Sequence, residues 1–353
     1  MKFSLLAACL VHITLAVPSN QEKRDSTKPV VKGTPQVVGI LADSSLNRDS
    51  CGSSLFGDRA FSASWSDLVT GGGSQLTMYG DNLDNSFYPL VPGNCDDNQA
   101  GICSDGTRYP LWANAPPMVT SSDSSGTTTG YTWISNSHIS GLSDLIQHPS
   151  VALYRVTYTS GASGLPKAEL VNQAFWAEND IPFGTYGGVV QDDVVYIWGQ
   201  ATGGSVNLAR VPVANVEDKS KYEFYVNGGW TTTQPELGDG AATIENASAG
   251  GQGTYYFSNH WKSFVWVGQV SNSVSADFFI TTSPAPEGPW TEPIKFYSGV
   301  NGNYSLGAYT LQANPALSLP DSNEIYLTYT KTDAVGDNVA LYTTPLILVE
   351  WES

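Results

Sequence analysis

Val194-Val195-Tyr196-Ile197-Trp198-Gly199-Gln200 leads through a turn to Asn207-Leu208-Ala209-Arg210-Val211-Pro212. The same pattern returns twice. Phe264-Val265-Trp266-Val267-Gly268-Gln269 leads to Phe278-Phe279-Ile280-Thr281-Thr282-Ser283-Pro284. Ile325-Tyr326-Leu327-Thr328-Tyr329-Thr330 leads to Leu341-Tyr342-Thr343-Thr344-Pro345. Trp198 and Trp266 are 68 residues apart, and Trp266 and Leu327 are 61 apart. A unit of about 60–70 residues made of short apolar strands and Gly-containing turns fits a propeller blade with generous loops. A β-sandwich with long insertions is the structural rival, but it does not predict this repeat.

Working outward, strand patterns recur and helical ones do not. Val37 to Leu41, Leu153 to Tyr158, Gly188 to Trp198, Val206 to Val211, Thr254 to Phe257, Phe264 to Val267, Ala276 to Thr281, Glu324 to Tyr329 and Ala340 to Leu348 are apolar or alternating. Gly, Pro, Asn, Asp or Ser clusters bound most of them. Ser143 to Gln147 is the one place where a helical turn is expected. Residues 1–16 read as a secretory signal, with Lys2 before an apolar run too short to span a bilayer. Residues 17–33 read as a polar leader with a dibasic processing site at Lys23-Arg24. The propeller domain is then 34–353. A mature chain of 329 residues divided by the period gives about five blades, so the expected fold is all-β, a single-domain five-bladed β-propeller.

The net charge of −17 argues against nucleic acid and anionic membranes as partners. Only 14% of residues are charged, while Gly, Ser, Thr, Asn and aromatics abound. That balance suits turn-rich β-structure with surfaces for carbohydrate. In an oxidising compartment Cys95 and Cys103 are expected to close a local disulfide. Cys51 is then either a buried thiol or a partner of one of those two. Asn246-Ala-Ser and Asn303-Tyr-Ser are glycosylation acceptors, expected at the surface of a secreted, monomeric glycoprotein.

The chemistry-bearing stretch is Asn47-Arg48-Asp49-Ser50-Cys51-Gly52-Ser53-Ser54-Leu55-Phe56-Gly57-Asp58-Arg59. Asp49 and Asp58 flank a link that reads as a strand. Paired carboxylates serve glycoside cleavage, one as acid and one as nucleophile or base. The alternative is that both side chains hold turns. Glu178 and Asp180 follow Phe175-Trp176 and precede Pro182-Phe183-Gly184-Thr185-Tyr186-Gly187, which suits a sugar subsite in which Glu178 and Tyr186 are contacts. Arg210 is either a substrate contact or a structural ion pair. His260, in Ser258-Asn259-His260-Trp261, is a further contact candidate, and Trp198 and Trp266 read as core. No serine-hydrolase elbow, zinc spacing or phosphate loop is present. Gly71-Gly72-Gly73 reads as a turn. No cofactor is expected, although Asp81, Asp84, Asp96 and Asp97 leave room for a structural calcium without EF-hand spacing.

The order Arg48-Asp49, small residues, then Phe56-Gly57-Asp58 resembles the opening of the five-bladed propellers filed as domain of unknown function 4185. Asn85-Ser86-Phe87, Leu208-Ala209-Arg210-Val211-Pro212, Thr282-Ser283-Pro284 with Glu287-Gly288-Pro289-Trp290, and Pro315 with Ile325-Tyr326-Leu327-Thr328-Tyr329 resemble its later elements. The likeness spans about residues 37 to 350 and resembles a secreted, fungal-type member. That group includes endo-D-arabinanases, so it implies a glycoside hydrolase acting on a polysaccharide through Asp49 and Asp58. The chain departs from the pattern at Ser50-Cys51, at Arg59 and at Asn314. Those departures favour the alternative, a non-catalytic carbohydrate-binding or cell-wall protein. A polysaccharide lyase, using Tyr with His or Arg, is a third reading.

Overall fold

The computed structural model describes residues 26–42, 47–49, 52–62, 67–68, 77–78, 86–95, 101–336 and 339–352. Five strands stand around a common axis, each the first strand of its own sheet. Ala308–Ala313 packs on Gly250–Ser258, which packs on Gly188–Gln191, then Met118–Ser122, then Ser53–Phe56. Ser53–Phe56 in turn packs on the 3-10 turn Pro315–Leu317, which directly follows Ala308–Ala313 and closes the ring. Radiating sheets around an axis make this a β-propeller.

The blade count differs from the sequence expectation. Four sheets have four or five strands, beginning at Met118–Ser122, Gly188–Gln191, Gly250–Ser258 and Ala308–Ala313. The residues read as the first blade form a smaller sheet of three strands, Ser53–Phe56, Arg59–Ser62 and Thr77–Met78. Its last pairing is parallel and covers two residue pairs. Four full blades, not five, are thus present among the described residues.

Ring closure joins the two ends of the described chain. Gln36–Ala42 pairs antiparallel with Val339–Glu350 in the sheet that begins at Ala308–Ala313. Residues within the expected leader extend this contact. Lys32 N donates to Glu350 O at 2.8 Å, and Glu352 N donates to Val30 O at 2.8 Å.

Local sequence explains most of the strands. Antiparallel strands that pack on both faces become nearly continuous apolar runs. Ser263–Val270 and Val194–Gln200 are the second strands of their sheets, covered on both sides, and they read that way. Separate apolar clusters fill the spaces between neighbouring sheets. Trp198 is buried there, stacked on Tyr255 with centroids 4.2 Å apart and edge-on to Trp290. Trp266 belongs to the same cluster. Each such ring removes a large apolar area from water, which is the main stabilising term.

Two local expectations are corrected. Gly188 to Trp198 is not one strand but a hairpin, Gly188–Gln191 with Val194–Gln200. Its turn residues Asp192 and Asp193 have φ of 51° and 60°, a conformation that Asp adopts readily in two-residue hairpin loops. Ser143 to Gln147 forms no helical turn. Ser143–Asp144 instead pairs with Ile139–Ser140, whose backbone bridges to Arg108.

Candidate functional site

All five inner strands run the same way along the axis, so one end of the ring gathers the residues that precede them. Asp49 lies at that end. It precedes Gly52, which abuts Gln312 and Pro116 so closely that a Cβ would fall 2.2 Å from Gln312 Oε1. Tyr309, at the start of its inner strand, donates its hydroxyl to Asp49 Oδ2 at 3.1 Å. A bulge after Tyr309 helps to aim that side chain. The register slips between Tyr309 and Gln312, and Thr310 sits at φ 54°. Bulges re-aim side chains in this way. The irregular turn is held by Thr310 Oγ1 against Thr330 Oγ1 at 2.6 Å and by Gln269 Oε1, which accepts from Leu311 N at 3.3 Å.

Asp49 is only partly exposed, and its carboxyl sits among protein atoms. Burial pushes the carboxyl pKa up, because the charged form loses hydration. The Tyr309 hydrogen bond and the Arg108 charge pull the other way without cancelling this. The Tyr309 hydroxyl is itself pushed up, first by burial and then by the Asp49 charge. Arg108 is exposed and lies over the Trp112 ring, 5.7 Å from its centroid. Trp112 is 40% exposed. A carboxyl, a phenol, a guanidinium and an open indole thus share one end of the axis.

Below them the axis is plugged by amides. Gln252 Nε2 and Gln312 Nε2 both donate to Asn114 O, at 2.9 and 2.7 Å. Beyond the plug lies an axial cavity of about 220 Å³, walled mainly by Leu55, Pro116, Met118, Tyr186, Tyr255 and Pro315. Among the described residues, no Asp or Glu lines it.

The structure separates Asp49 from Asp58. Asp58 is exposed on the hairpin turn between Ser53–Phe56 and Arg59–Ser62, at the far end of the strand. The four residues of that strand alone put roughly 13 Å between them, at about 3.3 Å per residue. Arg59 holds this hairpin, its guanidinium donating to Tyr158 Oη at 3.3 Å and lying over the Phe61 ring. Asn314 is fully buried between Ser53 Oγ, from which it accepts, and Thr328 Oγ1, to which it donates. Two departures from the family pattern are therefore structural ties.

The other candidates scatter. Glu178 is exposed on a turn. Asp180 accepts from Ala177 N at 2.8 Å and pairs with Lys219 at 3.2 Å, which makes it a turn anchor. Tyr186 faces the axial cavity, and burial pushes its hydroxyl up. Arg210 lies on the third of five strands in its sheet, paired with Glu223 at 2.7 Å and stacked 4.0 Å from the Trp230 centroid. His260 is exposed on the turn at the Asp58 end. Cys95 and Cys103 are disulfide-bonded, and Asn246 and Asn303 are exposed. Asn303 Oδ1 accepts from Ala334 N at 2.7 Å. Cys51, Gly71-Gly72-Gly73, Asp81, Asp84, Asp96 and Asp97 lie outside the described residues. Among the described residues no three His, Cys, Asp or Glu side chains gather as metal ligands would. No helix among them is long and apolar enough to cross a membrane.

Sequence reading missed Tyr309, Arg108 and Trp112. Each is far from Asp49 along the chain, and only the packing of neighbouring sheets brings them near it. The amides left a fainter signal, since Gln252 and Gln312 interrupt runs of small or apolar residues.

The chain matches no known protein-family model and no curated protein. Among solved structures it is similar to a Bacteroides ovatus protein with a provisional hydrolase name, at 15% identity over 77% of this chain and 67% of that one, with a TM-score of 0.48. It is similar to an exo-β-1,3-galactanase from Phanerochaete chrysosporium at 10% identity, over 89% of this chain, with a TM-score of 0.44. The match covers 64% of the galactanase, so this chain spans less than two thirds of its length. It is also similar to the catalytic domain of a family 62 α-L-arabinofuranosidase from Coprinopsis cinerea, at 10% identity over 67% of this chain and 89% of that one, with a TM-score of 0.30. At such identities and scores the likeness concerns the course of the chain and says nothing of chemistry.

Proposed function

We propose that this protein is a secreted glycoside hydrolase that binds a polysaccharide across the Asp49 end of its propeller axis. The observation that carries the reading is the Asp49 carboxyl, whose pKa burial raises, set beside Tyr309, Arg108 and the partly exposed Trp112. A general acid must be protonated before it acts, and burial is a common way to achieve that. Tyr309 donates to Oδ2, and the protonated carboxyl would pass its proton to a glycosidic oxygen. Once the proton has left, Arg108 and Tyr309 stabilise the carboxylate. Trp112 offers an apolar face on which a sugar ring stacks. The reading needs a second carboxylate within about 5–10 Å. Asp58, on the far turn, is outside that range, and the base is left unassigned.

A second reading, glycan binding without cleavage, is favoured by one observation. Among the described residues, no carboxylate is named among the groups that shift Asp49, and none lines the axial cavity. Product analysis after incubation with plant, fungal and bacterial polysaccharides separates the two readings. Oligosaccharide release that Asp49→Asn abolishes supports hydrolysis, whereas binding without release supports the second.

We further propose that the protein is exported and processed. The signal at 1–16, processing after Arg24 and glycans on Asn246 and Asn303 belong to the same proposal, supported by the Cys95–Cys103 bond. Mass spectrometry of the exported protein checks all three.

A further inference from the structure

His260 has no part in the Asp49 site, yet it borders a second cleft at the opposite end of the ring. The cleft lies between the turn Ser258-Asn259-His260-Trp261 and the segment that follows Ala308–Ala313. Its inner part is a cavity of about 170 Å³ walled by the aromatic residues Tyr256, Trp261 and Trp351 and by the polar Ser318, Asn323 and Glu324. Asn323, Glu324 and Trp351 also line a more open part that His260, Lys32 and Glu350 border.

Two buried polar atoms there have no partner among the described residues, Ser318 Oγ and Asn323 Oδ1. Leaving such an atom unpaired is costly, so each instance calls for a reason. The Asn323 amide is not free to turn and relieve itself. Its Nδ2 donates to Trp351 O and to Glu352 O, both at 3.1 Å. Asn259 is fixed by donating to Pro320 O at 3.2 Å. Trp261 is fixed too, its N–H donating to Ser258 Oγ at 3.1 Å and its ring edge-on to Trp351 at 5.3 Å. The cleft therefore has hydrogen-bonded aromatic walls, with an unpaired acceptor and hydroxyl just beneath its surface.

We propose that this cleft is a second saccharide-binding site, holding one ring of a neutral glycan. Sugar hydroxyls both donate and accept, so they answer Asn323 Oδ1 and Ser318 Oγ together, while the ring's C–H face suits Trp261. Glu350 pairs with Lys32 at 3.4 Å, and Glu324 and Glu352 leave the rim net acidic, which selects against acidic sugars. The open part lets the glycan chain continue past His260. The cleft is separate from the Asp49 site and needs none of its chemistry.

The test is titration of the wild-type protein and variants with cellohexaose, xylohexaose, arabinohexaose and laminarihexaose, read by calorimetry and tryptophan fluorescence. At least one sugar saturates the wild type. Trp261→Ala and Asn323→Ala then weaken it at least tenfold, while Glu178→Gln, on an exposed turn outside both sites, leaves it unchanged. Trp261→Tyr keeps a ring and binds within severalfold of wild type, so the test stands even if Trp261→Ala fails to fold. Absence of saturation by every sugar at millimolar concentration overturns the proposal. So does binding that Asp49→Asn removes and Trp261→Ala spares.

Discussion

At the residue scale, Asp49 and Tyr309 make the sharpest claims. Tyr309 donates to the carboxylate and so favours the charged form. Its removal in Tyr309→Phe raises the Asp49 pKa further, and the alkaline limb of the pH–activity profile moves to higher pH. A limb that stays put or moves down contradicts the assignment. Linkage gives a second, independent expectation. A carboxyl whose folded pKa is raised binds its proton more tightly when folded, so it adds stability at low pH. That stability is lost as pH rises from the ordinary Asp range, near 3.8, through the raised folded value. Denaturation of wild type and Asp49→Asn across pH 3 to 8 should show a stability difference that shifts against the wild type with rising pH. A pH-independent difference contradicts a raised pKa. The carboxylates held low by hydrogen bonds, such as Asp277 and Asp123, act oppositely but are common to both proteins.

At the element scale, close approach governs the loop that leads into Gly188–Gln191. Gly184 has φ 85°, and a Cβ there would lie 2.7 Å from ring carbons of buried Trp133. Gly184→Ala should cost about 2–5 kcal/mol, from the left-handed backbone and the overpacking together, as measured by urea unfolding. A loss under about 0.5 kcal/mol contradicts the packing described. What sequence reveals differs sharply between elements. Trp198 and Trp266 announced their strands because a strand covered on both faces must be apolar throughout. Asp192-Asp193 was hidden inside an apparent run, since acidic residues at positive φ turn a hairpin without glycine. Asp49 was legible through its neighbours in the chain. Tyr309 and Arg108 were not, because partners assembled by the packing of neighbouring sheets leave no local pattern. Asp58 looked like a partner for Asp49 only because sequence spacing ignores that a strand carries its two ends apart.

At the scale of the whole molecule, the ring depends on its clasp. Gln36–Ala42 is held between Val339–Glu350 and Asp67–Leu68, and it buries Leu41. Removing residues 26–42 should cost at least about 3 kcal/mol in lost burial and ladder bonds, on the order of 5–10 °C in Tm for a chain of this size. An unchanged Tm contradicts closure through this sheet. The sequence period predicted the ring and the single domain. It overestimated the first blade, because dividing the length by a period assumes equal blades. The small sheet at Ser53–Phe56 shows that one place in the ring is filled more sparsely among the described residues.

The ring matters because it brings Asp49, Tyr309, Arg108 and Trp112 to one end of the axis. The most direct measurement is oligosaccharide release from a polysaccharide panel by wild type, Asp49→Asn and Asp58→Asn, with Tm recorded for each. The expected result is release by wild type, a loss of at least about 100-fold in Asp49→Asn, the lower range for removing a general acid, and little change in Asp58→Asn. All three should melt at similar temperatures under neutral conditions. Turnover by Asp49→Asn within twofold of wild type would contradict the account.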